Sequence, residues 1–357
     1  MPLTTKARAI LWTYVLLVSL FLSLPGCGGI SYVCHLGWHQ GAILYHSQPL
    51  SEVLAQGGID PALKAKILFI QEVKRFGEER LGLRRTKNYS TFVDTEGPVL
   101  FVVTASEKDR LKPRSWSFPI IGKVTYRGFF SYKEALREKK RLEEEGLDTF
   151  VQAAAAYSTL GWFKDPIFSS MLEWEVSTLA NVIFHEMAHA TLYLKGQTPF
   201  NEQFATFVGN RATIDFLREK YGPASAELRR AMEEQEDDLL FSRWIGRACE
   251  RLSDFYRQEI PTEQKRKGRE EIFRSLKEDF RKTRSLFKTD CYPDLEKMEL
   301  NNAVFLAFRR YFEKLDRFEA LYKELGQDLR RVIDYFQDLQ AKGTDADWAP
   351  WIKEEAS

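Results

Sequence analysis

Histidine, cysteine and an excess of either charge are scarce in this chain. Its 357 residues hold five His and four Cys, and 52 basic against 51 acidic side chains leave a net charge of +1. So even a balance provides no bulk positive charge for nucleic-acid binding. No C-x-x-C pair occurs, which removes thiolate zinc clusters. The 44% hydrophobic and 13% aromatic content describes a well-packed globular chain, one large domain or two smaller ones.

The first residues stand apart from the fold. Lys6 and Arg8 precede a nearly all-apolar run from Ala9 to Leu24, the pattern of a secretory signal sequence. The run ends in Leu24-Pro25-Gly26-Cys27, which resembles a lipobox, although Pro25 is an unusual occupant. The resemblance implies removal of residues 1–26 and lipidation of Cys27. An uncleaved anchor is the other reading of the run, since it falls just short of a usual span. Either reading places the body outside the cytoplasm on a membrane surface. Gly28 after the cysteine favours, by resemblance to lipoproteins in general, the outer membrane facing the periplasm. Three cysteines remain, Cys34, Cys249 and Cys291. An exported compartment permits one intrachain disulfide among them, and Cys249 with Cys291 is the expected pair.

The chemistry concentrates in VIFHEMAH, residues 182–189. His185 and His189 are four apart, so on a helix their imidazoles share one face. That arrangement suits a zinc ion, which binds His nitrogen at about 2.0–2.1 Å. Glu186 lies about 100° around the helix, within reach of a water on the metal. The flanks are almost wholly apolar, and burying these three polar groups without a compensating partner would be costly. A third ligand is needed. Leu192 and Lys195 stand where a metzincin would carry Gly and His. Glu202 is the better candidate: Gly196 can stop the first helix, and the chain can return to open a second helix facing the first.

HEMAHATLYLKGQTPFNEQFATFVG, with AAAAYSTLGWFKDPIF and VTYRGFF upstream, resembles the bacterial family of zinc aminopeptidase lipoproteins. The likeness runs from about Cys27 to about Leu217. It implies a gluzincin-type metallopeptidase with a single zinc ion, in which His185, His189 and Glu202 are ligands and Glu186 is the base. Thermolysin-like gluzincins often carry an Asp four residues after the Glu ligand, where this chain has Thr206. The spacing from second His to Glu is also shorter than theirs. No motif here is suited to a substrate's free amino group, so exo- and endopeptidase readings both stay open.

The expected fold is α+β and mostly helical: a zincin-like core with a small sheet, plus a C-terminal helical region. Residues 27–93 read as an N-terminal helical segment, 94–222 as the catalytic core, 223–341 as the C-terminal helices and 342–357 as a flexible tail. Two or three strands are expected within 97–131, then a charged surface helix to Gly146. A strand follows over 148–161, and its alanine run could receive a peptide by strand addition. Asp165-Pro166 begins the approach to the metal helix, with Pro at a first helical position. The metal helix is expected over 173–195. His35 and His39 are four apart but have no carboxylate placed with them, and read as surface or packing residues.

Zinc-dependent hydrolysis of a peptide or protein substrate is the function these readings converge on. Glu186 would move the proton, and Tyr157 or Tyr126 would serve as a donor to the oxyanion. The rival reading is a membrane-tethered binding or assembly lipoprotein whose metal only holds the fold, motivated by the long charged helices after Pro223.

Overall fold

The computed structural model describes residues 28–56, 59–95, 97–118, 122–154, 164–292 and 294–352. The expected signal sequence, Cys27 and Tyr157 lie outside them. Helix α1, Gly28–His46, is a unit by itself, and the chain from Ser47 onward forms a second. No described helix is long and apolar enough to cross a membrane.

The second unit opens with strand β1 (Gln48–Pro49) and helices α2 (Leu50–Ala55) and α3 (Pro61–Glu79). Asp60 caps α3 by accepting from the Ala62 amide, and Pro61 starts it. Ile67, Ile70 and Val73 recur along its buried face. Residues 27–93 are therefore not helical throughout. Strand β2 (Thr91–Val93) pairs antiparallel with β1 and parallel with β8 (Ile167–Phe168). Pro166 accordingly leads into a strand rather than a helix.

Four strands, more than expected, occupy 97–131: β3 (Phe101–Ser106), β4 (Trp116–Phe118), β5 (Gly122–Val124) and β6 (Arg127–Phe129). β4 and β5 pair only with each other. β3 is the centre of an antiparallel sheet between β6 and β7 (Asp148–Ala153). Between these lies α4 (Tyr132–Glu144), the expected charged helix. Its charges are not all solvated: Glu138 is buried and accepts from Arg127 at 2.9 Å. The alanine run begins at the end of β7 with Ala153, while Ala155 and Ala156 lie outside the described residues.

After a 3-10 turn, Ser169–Glu173, come α5 (Val176–Thr191) and α6 (Thr198–Tyr221). α5 is shorter than 173–195 because Leu192 is already extended. Long helices α7 (Ala226–Tyr256) and α8 (Thr262–Arg284) follow, then α9 (Asn302–Phe312), α10 (Leu315–Glu324), α11 (Leu329–Lys342) and α12 (Asp345–Trp348). Arg269 on α8 makes a two-pronged pair with buried Asp148 on β7 at 2.6 and 3.1 Å. Arg211 on α6 pairs with Glu319 on α10. The C-terminal helices thus pack onto the sheet and onto α6. Cys249 and Cys291 are both thiols, so the expected disulfide is absent. Cys249 lies in the α7–α8–α9 core, whereas Cys291 sits at the surface.

The tail expected to be flexible from Lys342 is docked as far as residue 352. Trp348 and Trp351 are both buried. Trp348 meets Phe200 at 5.2 Å between ring centroids, and Trp351 meets Phe318 and Phe336 at 5.0 and 4.8 Å. Aromatic rings bury enough area to offset the ordering of a short terminal segment. Trp351→Ala should cost about 3–5 kcal/mol, as large-to-small core truncations do. Chemical denaturation is the check, and a change below about 1 kcal/mol would mean the segment is not docked in solution.

Candidate metal centre

α5 and α6 run antiparallel along one another, and their contact is very close. A Cβ on Gly209 would lie 3.0 Å from both the backbone oxygen and the side-chain oxygen of Asn181. On the other side of α5, a Cβ on Gly77 would meet Met187 Cε at 2.7 Å. The connection between the helices is fastened by one side chain. Asn201 Oδ1 accepts from the Leu194 amide and Asn201 Nδ2 donates to the Leu194 carbonyl, both at 2.8 Å. Gly196 supplies the left-handed bend at φ 79. Thr198 and Pro199 then start α6. The turn returns Glu202 to the face of α5 that carries His185 and His189.

The three expected ligands meet. His185 Nε2 and His189 Nε2 are 3.1 Å apart, and Glu202 Oε2 lies 3.4 and 3.3 Å from them. A tetrahedral ion with bonds of about 2.0–2.1 Å sets its ligand atoms about 3.3–3.4 Å apart, so the triangle fits zinc. Two ring nitrogens facing each other at 3.1 Å also lack a proton arrangement that satisfies both against one carboxylate oxygen, and a cation between all three would. Glu202 and His189 are buried and His185 is partly exposed. Burial alone would raise the Glu202 carboxyl, but the charges and hydrogen bonds of His189 and His185 hold it far below the usual range. Burial would lower His189, and Glu202 overturns this to raise it, with help from Glu186. Among the described residues no other group of three metal-ligating side chains converges.

Thr206 does not orient a histidine of the centre: His189 Nδ1 is buried with no hydrogen-bond partner among the described residues. The α5–α6 pair is braced instead one turn before His185. Asn181 Nδ2 donates to Asn210 Oδ1 at 2.7 Å, and Asn210 Nδ2 donates to Asp238 Oδ2 of α7 at 2.6 Å. Asp238 also accepts from the Tyr292 hydroxyl.

Glu186 is buried beside this triangle, and its charge acts on both His189 and Tyr311. Four tyrosines surround the carboxylates. Tyr126, expected as a candidate donor, reaches Glu202 Oε1 at 3.5 Å, the outer limit of a hydrogen bond. Tyr311 on α9 has its ring 6.4 Å from that of His185. Burial raises Tyr126, Tyr193 and Tyr311, and Glu202 raises each further. Tyr89 is raised by burial, then Glu186 and Asp165. All four are therefore protonated donors at neutral pH. Tyr89 has a left-handed backbone, φ 57, held by its amide donating to the Asp165 carbonyl at 2.6 Å.

Tyr89, Tyr193, Tyr311 and the neighbouring Arg310 were not among the expected site residues. For Arg310 a signal existed: it follows Ala303, Leu306 and Ala307 at helical spacing, a cation on an apolar face.

Residues 31–347 match the model of a family described as "Putative aminopeptidase". The chain belongs to this family. The match extends through the C-terminal helices, well past Leu217, and makes the family's activity at the coarse level that of a peptidase. No curated protein and no solved structure matches the chain.

The brace carries its own pH dependence. Withdrawal from water pushes the Asp238 carboxyl from 3.8 up to about 6, against the Tyr292 and Asn210 donors and with Glu234 and Asp237 adding to the rise. The folded state then holds a proton that the unfolded state has lost, so this group's contribution to stability declines as pH rises from about 4 to about 6. Asp238→Asn lacks that decline. Its stability relative to the wild type should climb across this window and level off above it, in thermal melts at stepped pH; a flat difference would contradict the raised carboxyl.

Proposed function

We propose that this aminopeptidase-family chain is a zinc-dependent peptidase of gluzincin type, with a zincin-like core. The observation that carries the reading is the ligand triangle of His185, His189 and Glu202 beside a buried Glu186. When bound, zinc would polarise the scissile carbonyl and acidify a water. Glu186 takes the proton of the attacking water as its oxygen bonds to the carbonyl carbon. The negative charge gathers on the former carbonyl oxygen. Glu186 then passes the proton to the amide nitrogen as the carbon–nitrogen bond breaks, leaving an amine and a carboxylic acid whose remaining proton passes to the amine or to solvent. Tyr126 and Tyr311, as protonated phenols on the Glu202 side, are suited to donate to the oxyanion.

The rival reading, a tether with a structural metal, drew on the charged C-terminal helices. Their packing on the core, with Tyr311 brought to the centre, supports catalysis instead. An open fourth ligand position beside a carboxylate is also the arrangement of catalytic rather than structural zinc. Export and lipidation of Cys27 belong to the same proposal and rest on Lys6, Arg8 and the apolar run to Leu24. Cys27→Ala should leave the chain unlabelled when cells are fed radioactive palmitate, and equal labelling of both proteins would remove the anchor.

Purified protein should hold one zinc per chain by elemental analysis. Glu186→Gln should keep that zinc and lose at least about 100-fold in kcat on a peptide library, in line with general-base removal. A zinc-free wild type, or full activity of Glu186→Gln, would overturn the assignment.

A further inference from the structure

Arg310 is a buried cation without a carboxylate. It is 3% exposed, and its Nε and Nη1 have no hydrogen-bond partner among the described residues. Nη2 donates to Thr104 Oγ1 at 2.9 Å and to the Thr125 carbonyl at 3.3 Å. No described Asp or Glu pairs with it. A guanidinium held this way is expensive to bury, and such a group calls for a function.

Its surroundings give one. The guanidinium carbon lies over the Tyr126 ring at 4.7 Å and 5.9 Å from the Tyr311 ring centre. It acts on the Tyr311 hydroxyl both as a nearby positive charge and as a side-chain hydrogen-bond donor, each opposing the rise that burial and Glu202 cause. Tyr126, the ring that Arg310 covers, also reaches Glu202 Oε1 at 3.5 Å, so the guanidinium stands close to the candidate metal centre.

We infer that Arg310 is a positioning residue for hydrolysis, holding Tyr126 and Tyr311 as oxyanion donors and biasing the field across the centre. In the reaction, negative charge moves from Glu186 to the carbonyl oxygen. A fixed cation beside the phenols that would donate to that oxygen favours the displacement, and its effect is strong because it is buried. The unpartnered nitrogens follow from this arrangement, since a carboxylate placed on them would cancel the field. The same cation repels a divalent ion, so Arg310 weakens metal binding while speeding the reaction.

This inference rests on the zinc-peptidase reading, and the two fail separately. Absence of zinc from the wild type sinks that reading before any variant is made. With zinc present, Arg310→Met keeps an apolar stem and removes the charge. It should bind zinc about tenfold more tightly in a chelator competition, while kcat falls about 100-fold and KM changes little. Arg310→Lys should keep zinc affinity near that of the wild type and hold kcat within about tenfold. A purely structural arginine predicts the opposite sign for zinc: Arg310→Met would loosen it along with the fold. Looser zinc binding or undiminished kcat in Arg310→Met overturns the inference. If that variant does not fold, Arg310→Lys decides, and a 100-fold loss of kcat there overturns it equally.

Discussion

The near contact of α5 with α6 is the constraint on which the centre depends. Ligand atoms 3.1–3.4 Å apart on two separate helices require those helices to hold their separation and register closely. Gly209 permits the approach, and the Asn181–Asn210–Asp238 chain sets the register with hydrogen bonds that a slip of one residue would break. Asn201 closes the turn so that the Glu202 helix starts in one place. Apolar residues fill the rest of the contact, and their burial drives the two helices together without choosing among registers.

The polar groups of the centre come from widely spaced parts of the chain. The loop before β2 gives Tyr89, the loop after β5 gives Tyr126, α5 and α6 give the triangle and Glu186, and α9 gives Arg310 and Tyr311. The sheet of β6, β3 and β7 ties them, because Thr104 of β3 holds Arg310 and Asp148 of β7 holds both Arg269 and the amide of Asn302 at the start of α9. The C-terminal helices are thus part of the centre's wall, in agreement with a family match that runs through them.

Much of this was legible from spacing alone. Two histidines four apart in an apolar helix fix their own geometry, and Glu202 followed from chain length and the bend at Gly196. The residues that escaped notice act across long separations in sequence. Tyr311 is more than a hundred residues from His185, and nothing local marks a tyrosine as facing another helix. Arg310 did interrupt an apolar face, but an arginine there also fits a snorkelling surface residue. The short strands were misjudged in number because runs of three residues carry almost no periodicity. The docked tail was missed because two tryptophans in a charged terminus resemble fraying until the aromatic floor beneath them is seen.

That floor joins the end of the chain to its centre. Trp348 packs on Phe200, which is two residues before Glu202 in the first turn of α6. Phe336 of α11 packs on the same ring. During synthesis the histidines leave the ribosome long before these aromatics do. The turn bearing Glu202 can receive that packing only after the chain has been made through residue 348, so neighbours in space are separated by the synthesis of well over a hundred residues.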